Sequence, residues 1–471
     1  MIQKWWVLAS VACGTFMATL DSSIVNIALP TLTKELNADL YRVKWVIIVY
    51  LLFITCLLLP FGRLSDQVGR KRIFQFGFLI FIGGSFLCGW APTLSALVLF
   101  RALQAVGASM LMANGPAIVT STFSHRERGA ALGILAMVVS AGLVTGPSVG
   151  GLLITHFGWR SIFFANIPIG ILGIGLVQFF VKKDQLPKTG VFFDWAGAFL
   201  QTVILSLFIF LLDPPHISVS GSVPMPVARW ALAVSLIVLF LIFVKVEREV
   251  KNPLFDLSLL ENRTFWAANL ASFLMFVAFS SVGLLMPFFL EEVLHFAPQN
   301  AGFFMTAIPF TIFISAPFSG RASDRFGSHG LSFAGSLIGA IGLFAMAGAF
   351  GSGINRDTPY FWILLGLGSV GLATGLFQSP NNNTIMGSVP HNKLGVASAL
   401  LATVRNLGLA TGTGLATSLF TEYRANGELV QIESAFHIVF MTSGFVALGA
   451  LAASFGKKRE IHKEVHGGEK I

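Results

Sequence analysis

Long apolar runs, broken by short polar stretches, occupy the chain from Trp5 to about residue 456. A membrane crossing takes about 20 apolar residues as helix. On that measure crossings are predicted near 5–29, 43–61, 73–90, 96–119, 130–154 and 160–181, a pair near 194–212 and 229–246, and six more near 265–290, 301–319, 331–350, 359–383, 395–419 and 434–456. The pattern predicts an all-α integral membrane protein with about 14 transmembrane helices, six plus two plus six. Its expected units are an N-terminal six-helix bundle (1–185), two additional helices with linkers (186–252), a C-terminal six-helix bundle (253–456) and a charged tail (457–471).

The stretch GRLSDQVGRKR, Gly62 to Arg72, returns in degraded form as GRASDRFG, Gly320 to Gly327. Each copy is a short basic hinge between two apolar runs, so the chain reads as a doubled membrane unit.

Composition agrees: 55% of the 471 residues are hydrophobic and 11% charged, more apolar surface than a globular core of this size needs. The net charge of +9 matters by position. Lys4, the first hinge, Arg126, Arg128, Lys182, Lys245, Arg321, Lys393 and the tail from Lys457 fall on one side, which predicts that both termini are cytoplasmic. Nucleic acid is a poor explanation for this charge. Cys13, Cys56 and Cys88 all lie inside apolar runs and read as packing residues, with no metal-ligand spacing. The chain has no HExxH, GxSxG or P-loop pattern, so neither an enzyme nor a nucleotide-driven pump is expected, and no cofactor or metal.

An ionisable side chain at bilayer depth costs about 2.5–3.5 kcal/mol and needs a partner, water or a function. Asp21, Arg101 and Arg405 stand inside predicted crossings. At about 1.5 Å per residue, Asp21 lies roughly 12 Å from the outer end of the first crossing and Arg101 about 9 Å from the outer end of the fourth. Similar depth predicts that they pair. The pair reads either as a proton-exchanging site, in which the carboxyl loses and regains its proton, or as a fixed structural ion pair. Arg405 has no acid near it in sequence, which leaves an anionic group, a carbonyl cluster or a proton-coupling role open. Glu291, Glu292 and Asp213 end predicted crossings and read as solvated positions.

GLVTGPSVGG, Gly142 to Gly151, combines small residues at four-residue spacing with Pro147, a pattern for close helix contact and a bend. Gly142, Gly146 and Gly150 form its small face. Asn114 and Pro116 are echoed by QSPNNN, Gln378 to Asn383; with Asn26 these polar groups are candidates for a substrate pathway, interhelical bonding being the other reading.

Four stretches together resemble the 14-span drug:proton antiporter branch of the major facilitator superfamily, the EmrB/QacA-like multidrug exporters. LDSSIVNIALP, Leu20 to Pro30, is similar to the first-helix motif, and GRLSDQVGRKR to the hinge motif. RALQAVGAS, Arg101 to Ser109, resembles the fourth-helix motif, and GLVTGPSVGG the antiporter motif. The resemblance implies two six-helix bundles that rock about a central site. Asp21 and Arg101 would couple protons; Gly62, Asp66, Gly69, Arg70 and Asp324 would gate the cytoplasmic side; Gly146 and Pro147 would shape the helix sealing the outer face. The activity implied is proton-coupled export of amphipathic small molecules by a bacterial inner-membrane protein, acting as a monomer in the lipid bilayer. The alternative is export of a dedicated anionic or lipid-like metabolite.

Overall fold

The computed structural model of the protein describes residues 2–123, 127–182, 194–212, 225–250, 259, 261–351, 360–389, 394–423 and 429–455. The predicted charged tail, 457–471, and Asp213 lie outside the described residues.

Among the described residues the fold is helical. The first bundle consists of α1 (Ile2–Glu35), α2 (Leu40–Val43), α3 (Trp45–Val68), α4 (Arg70–Gly89), α5 (Leu94–Thr122), α6 (Arg128–Phe157), α7 (Ser161–Phe164) and α8 (Asn166–Phe180). Two helices follow, α9 (Trp195–Leu212) and α10 (Met225–Glu249). The second bundle contains α11 (Arg263–Phe288), α12 (Pro298–Met305), α13 (Ala307–Phe326), α14 (Ser328–Gly351), α15 (Tyr360–Gly387), α16 (Leu394–Tyr423) and α17 (Leu429–Phe455). Twelve spans among the described residues are long and apolar enough to cross a membrane. The predicted crossings at 194–212 and 395–419 are helices, α9 and α16, that are not among those twelve. The first is short, and the second carries Arg405, Asn406 and several threonines that dilute its apolarity.

The two hinges fold alike. Gly69 and Gly327 hold φ of +106° and +86°, a region open to glycine and strained for other residues. Each donates its backbone N–H to the serine four residues earlier, Ser65 or Ser323, at 2.9 Å. That serine in turn donates its hydroxyl to the carbonyl of Gly62 at 2.6 Å or of Gly320 at 2.9 Å. The sequence repeat is therefore a repeat of backbone geometry, a tight reversal between paired helices.

Small residues set the helix spacing in both bundles. A Cβ on Gly142 would collide with Thr19, and one on Gly146 with Ser23, so α6 lies directly on α1. Gly408 and Gly412 place α16 on α11 at Phe276, Val277 and Ser280 in the same way. With equally apolar lipid as the alternative surroundings, such close van der Waals contact is what holds helices together.

The bundles meet at the end opposite the hinges. There a Cβ on Gly302 of α12 would strike the carbonyl of Pro147, and one on Gly151 would strike that of Pro298. The Gln299 N–H donates to Thr155 Oγ1 at 3.2 Å, and Ser148 and Thr306 share a hydroxyl bond. At the hinge end, a Cβ on Gly62, Gly327 or Gly330 would meet nothing. The helix α6 thus touches α1 on one face and the second bundle on the other.

Candidate functional site

Asp21 and Arg101 are brought together in the core of the first bundle, 0% and 1% exposed, so neither charge is solvated by bulk water. Arg101 Nη1 donates to Asp21 Oδ2 at 2.5 Å. The other carboxylate oxygen, Oδ1, accepts from Gln104 Nε2 at 2.9 Å and from Asn166 Nδ2 at 2.8 Å. Both oxygens are therefore occupied, by donors from α5 and α8. This is the arrangement that an ionised carboxylate needs to survive away from water.

Arg101 is held as firmly. Its Nε donates to the Val46 carbonyl at 3.2 Å and its Nη1 also to Gln104 Oε1 at 2.7 Å. The guanidinium lies over the Tyr50 ring at 3.9 Å, a desolvated cation–π contact. Gln104 Nε2 further donates to Ser85 Oγ at 2.6 Å, which ties α4 into the network. Five helices thus converge on one ion pair: α1 through Asp21, α3 through Tyr50, α4 through Ser85, α5 through Arg101 and Gln104, and α8 through Asn166.

Chemically, such a site holds a charge pair that a single proton would unbalance. A neutral carboxylic acid must find an acceptor for its own hydrogen and leaves the guanidinium charge uncompensated in a water-poor interior.

Sequence reasoning missed Gln104, Ser85, Asn166 and Tyr50. A signal existed for the first: Gln104 is three residues after Arg101 and so shares its helix face. Asn166, an amide within an apolar run, carried the same mark as the buried charges.

Other predicted residues separate into groups. Gly142, Gly146, Pro147 and Gly150 are buried along α6, and Ser23 Oγ donates to the Gly142 carbonyl at 3.2 Å, joining that seam to the helix that carries Asp21. Arg70 reaches the Ala117 carbonyl on α5 at 3.4 Å. Gly62 and Gly69 frame the first hinge. Asp66 and Asp324 lie on α3 and α13, with side chains outside the described residues.

Of the pathway candidates, Asn114 and Asn381 are both 0% exposed. Asn114 Nδ2 donates to the Met110 carbonyl of its own helix at 2.7 Å, and Asn381 Nδ2 to Ala268 on α11 at 3.0 Å. Asn381 thus makes an interhelical bond and Asn114 an intrahelical one, and both side chains are enclosed in this conformation. Asn26, Gln378 and Arg405 are half-buried, and Asn26 Nδ2 lies 3.8 Å from where a Cβ on Gly283 of α11 would stand, facing the other bundle.

Glu291, read from sequence as a solvated end, is buried: it is 7% exposed within a π-helical turn, Phe289–Val293, that extends α11. Lys44, between α2 and α3, is 0% exposed, its ammonium 3.6 Å above the Tyr41 ring. Helix extension past the apolar run folds the Glu291 end back into protein; likewise α1 continues through Pro30 to Glu35.

Comparison with known proteins places this geometry. The chain is 37% identical over 422 residues to the "Riboflavin transporter RibZ" of Clostridioides difficile, covering 90% of this chain and 89% of that protein. It is 30% identical over 424 residues to the "Tetracenomycin C resistance and export protein" of Streptomyces glaucescens (88% and 75%), and 29% identical over 418 residues to the "Multidrug resistance protein Stp" of Mycobacterium tuberculosis (88% and 76%). The family description that fits covers residues 11–413. With its repeated hinge and membrane-length helices, the chain belongs to the Major Facilitator Superfamily, a family of transporters.

Proposed function

We propose that the protein is a proton-coupled secondary transporter that exports amphipathic small molecules across a bacterial inner membrane by alternating access. The observation that carries this reading is the position of Asp21. Its carboxylate is closed off from water by Arg101, Gln104 and Asn166, while the same helix, α1, packs through Thr19 and Ser23 onto the glycines of α6. A proton taken up at Asp21 unbalances the pair, α1 shifts, and α6 carries that shift to its contacts with α12. Proton binding and the closure opposite the hinges then bias one two-state equilibrium.

In this reading the hinge end is cytoplasmic, both termini lie there, and Gly62, Asp66, Gly69, Arg70 and Asp324 form the gate on that side. Gly142, Gly146, Pro147 and Gly150 form the outer seal. The helices α9 and α10 are crossings additional to the two bundles, for fourteen in all, and the working unit is the monomer.

The test is substrate-driven proton movement in proteoliposomes holding the full chain, with ethidium and riboflavin as probes. Asp21→Asn is expected to lower it more than tenfold with the protein still folded. Coupled movement that survives in Asp21→Asn overturns the assignment of the proton site.

A second reading, export of a dedicated metabolite, draws on the relative named a riboflavin transporter, which matches nearly the whole chain. Transport of riboflavin with no transport of ethidium or other drug-like amphiphiles would select it.

A further inference from the structure

Arg405 is a half-buried guanidinium in the interior of α16, and among the described residues it has no hydrogen-bond, ion-pair or ring partner. It is eleven residues from the start of its helix, about 17 Å along the axis, close to mid-depth. One neighbour shares its condition. Asn406, 4% exposed, has an unpartnered amide nitrogen among the described residues. Buried polar groups are nearly always bonded, so two adjacent exceptions require an explanation.

Helical register fixes where Arg405 points. Ala399 and Ala402 pack against the first-bundle cluster that includes Tyr50, Ile54 and Leu58. Gly408 packs on Phe273 and Phe276 of α11. At 3.6 residues per turn, Arg405 is about 60° around the helix from Ala402 and about 60° from Gly408 on the other side. It faces the seam bordered by the first bundle and α11, where Asn26 also looks across at Gly283. Asn406 is about 40° from Ala402 on the side away from Arg405, so the two donor groups flank the Ala402 face that packs on the first bundle.

None of the four buried acids among the described residues is its partner. Asp21 is filled by Arg101, Gln104 and Asn166. Asp194 and Glu247 both lie against Gly197, near the start of α9. Glu291 is eighteen residues beyond Phe273, about 27 Å along α11. What Arg405 and Asn406 present is a set of N–H donors with positive charge, and among the described residues they lack an acceptor.

We propose that Arg405 is a substrate-recognition residue, which with Asn406 takes the acceptor edge of the transported molecule, either a carboxylate or the paired acceptors of a neutral heteroaromatic ring, and disfavours permanent cations. A guanidinium suits this because its parallel N–H groups meet a planar two-acceptor edge, which an ammonium cannot match. The inference rests on the transport reading above and names the substrate class for it.

The test is binding, which needs no coupling. Purified full-length protein in detergent is titrated with 2-naphthoate, its methyl ester, riboflavin and ethidium, with thermal stabilisation as the readout. Expected is stabilisation by naphthoate or riboflavin, with at least tenfold weaker apparent Kd for ethidium and for the ester. Arg405→Gln should weaken the bound acceptor probe at least tenfold and leave the melting temperature of the free protein within a few degrees. Arg405→Lys should restore part of naphthoate binding if a carboxylate is the group, and none of riboflavin binding if the ring edge is. Ethidium binding as tightly as the acceptor probes, unchanged affinity in Arg405→Gln, or no stabilisation by either acceptor probe overturns the proposal. Coupling that survives in Asp21→Asn overturns the proton-site reading and, with these affinities retained, leaves this one standing, so the two readings fail separately.

Discussion

The two bundles share their packing and differ in their charge. Ser23 of α1 faces Gly146 of α6, and Ser280 of α11 faces Gly412 of α16 in the same relation. Counting back two residues from each serine, Asp21 corresponds to Ala278, which is equally buried at 0% exposure. Gln104 lies against Gly84 of α4, and Ser369 against Gly342 of α14, so Arg101 corresponds to Gly366, where Met346 fills the space. Where one bundle buries an ion pair with four polar neighbours, the other buries methyl groups, plus a single Ser443–Ser281 hydroxyl bond at 2.9 Å. Helix contact is thus the property the repeat preserves, and the buried ion pair is an addition to one copy. On the proposed function, one half responds to protons and the other, through Arg405, to cargo.

The largest test of this contrast is Arg101→Ala. It strands the Asp21 carboxylate in an interior site, a loss of about 3–5 kcal/mol, read as a shift in an SDS-unfolding titration. A shift of less than about 1 kcal/mol would mean that the site is far better solvated than its burial implies. Next come Gly146→Val and Gly412→Val, each expected to cost about 1–3 kcal/mol by overpacking. Similar losses would sharpen the claim of shared packing; a large loss at one position and none at the other would break it. Smallest is Ser281→Ala in the bundle without the ion pair, expected to cost about 0.5–1.5 kcal/mol with proton movement unchanged. Altered proton coupling in that variant would show that the second bundle takes part.

Much of this was legible along the chain. The crossing order, the doubled hinge and the depth match of Asp21 with Arg101 all follow from residue spacing, because helical rise is fixed. The glycine spacing of 142, 146 and 150 likewise signalled a close contact. The partners of the ion pair were less legible: Gln104 shares a face with Arg101, but Asn166 is 145 residues from Asp21 and meets it only through the packing of α8. Asn114, Asn381, Gln378 and Asn26 look alike in sequence, and only the structure shows the first two fully buried and the last two half-buried.

The linear order of residues determined that the chain is a doubled array of membrane-length helices with a lone acid and a lone arginine at one depth. Periodicity and helical rise are local properties, and they suffice for that. Tertiary structure alone decided which faces meet: that three donors close around Asp21, that Glu291 and Lys44 turn inward, and that Arg405 is left without an acceptor among the described residues. Each of those depends on contacts between helices far apart in sequence, where the fit of one side chain against another, and not its own hydropathy, sets the outcome.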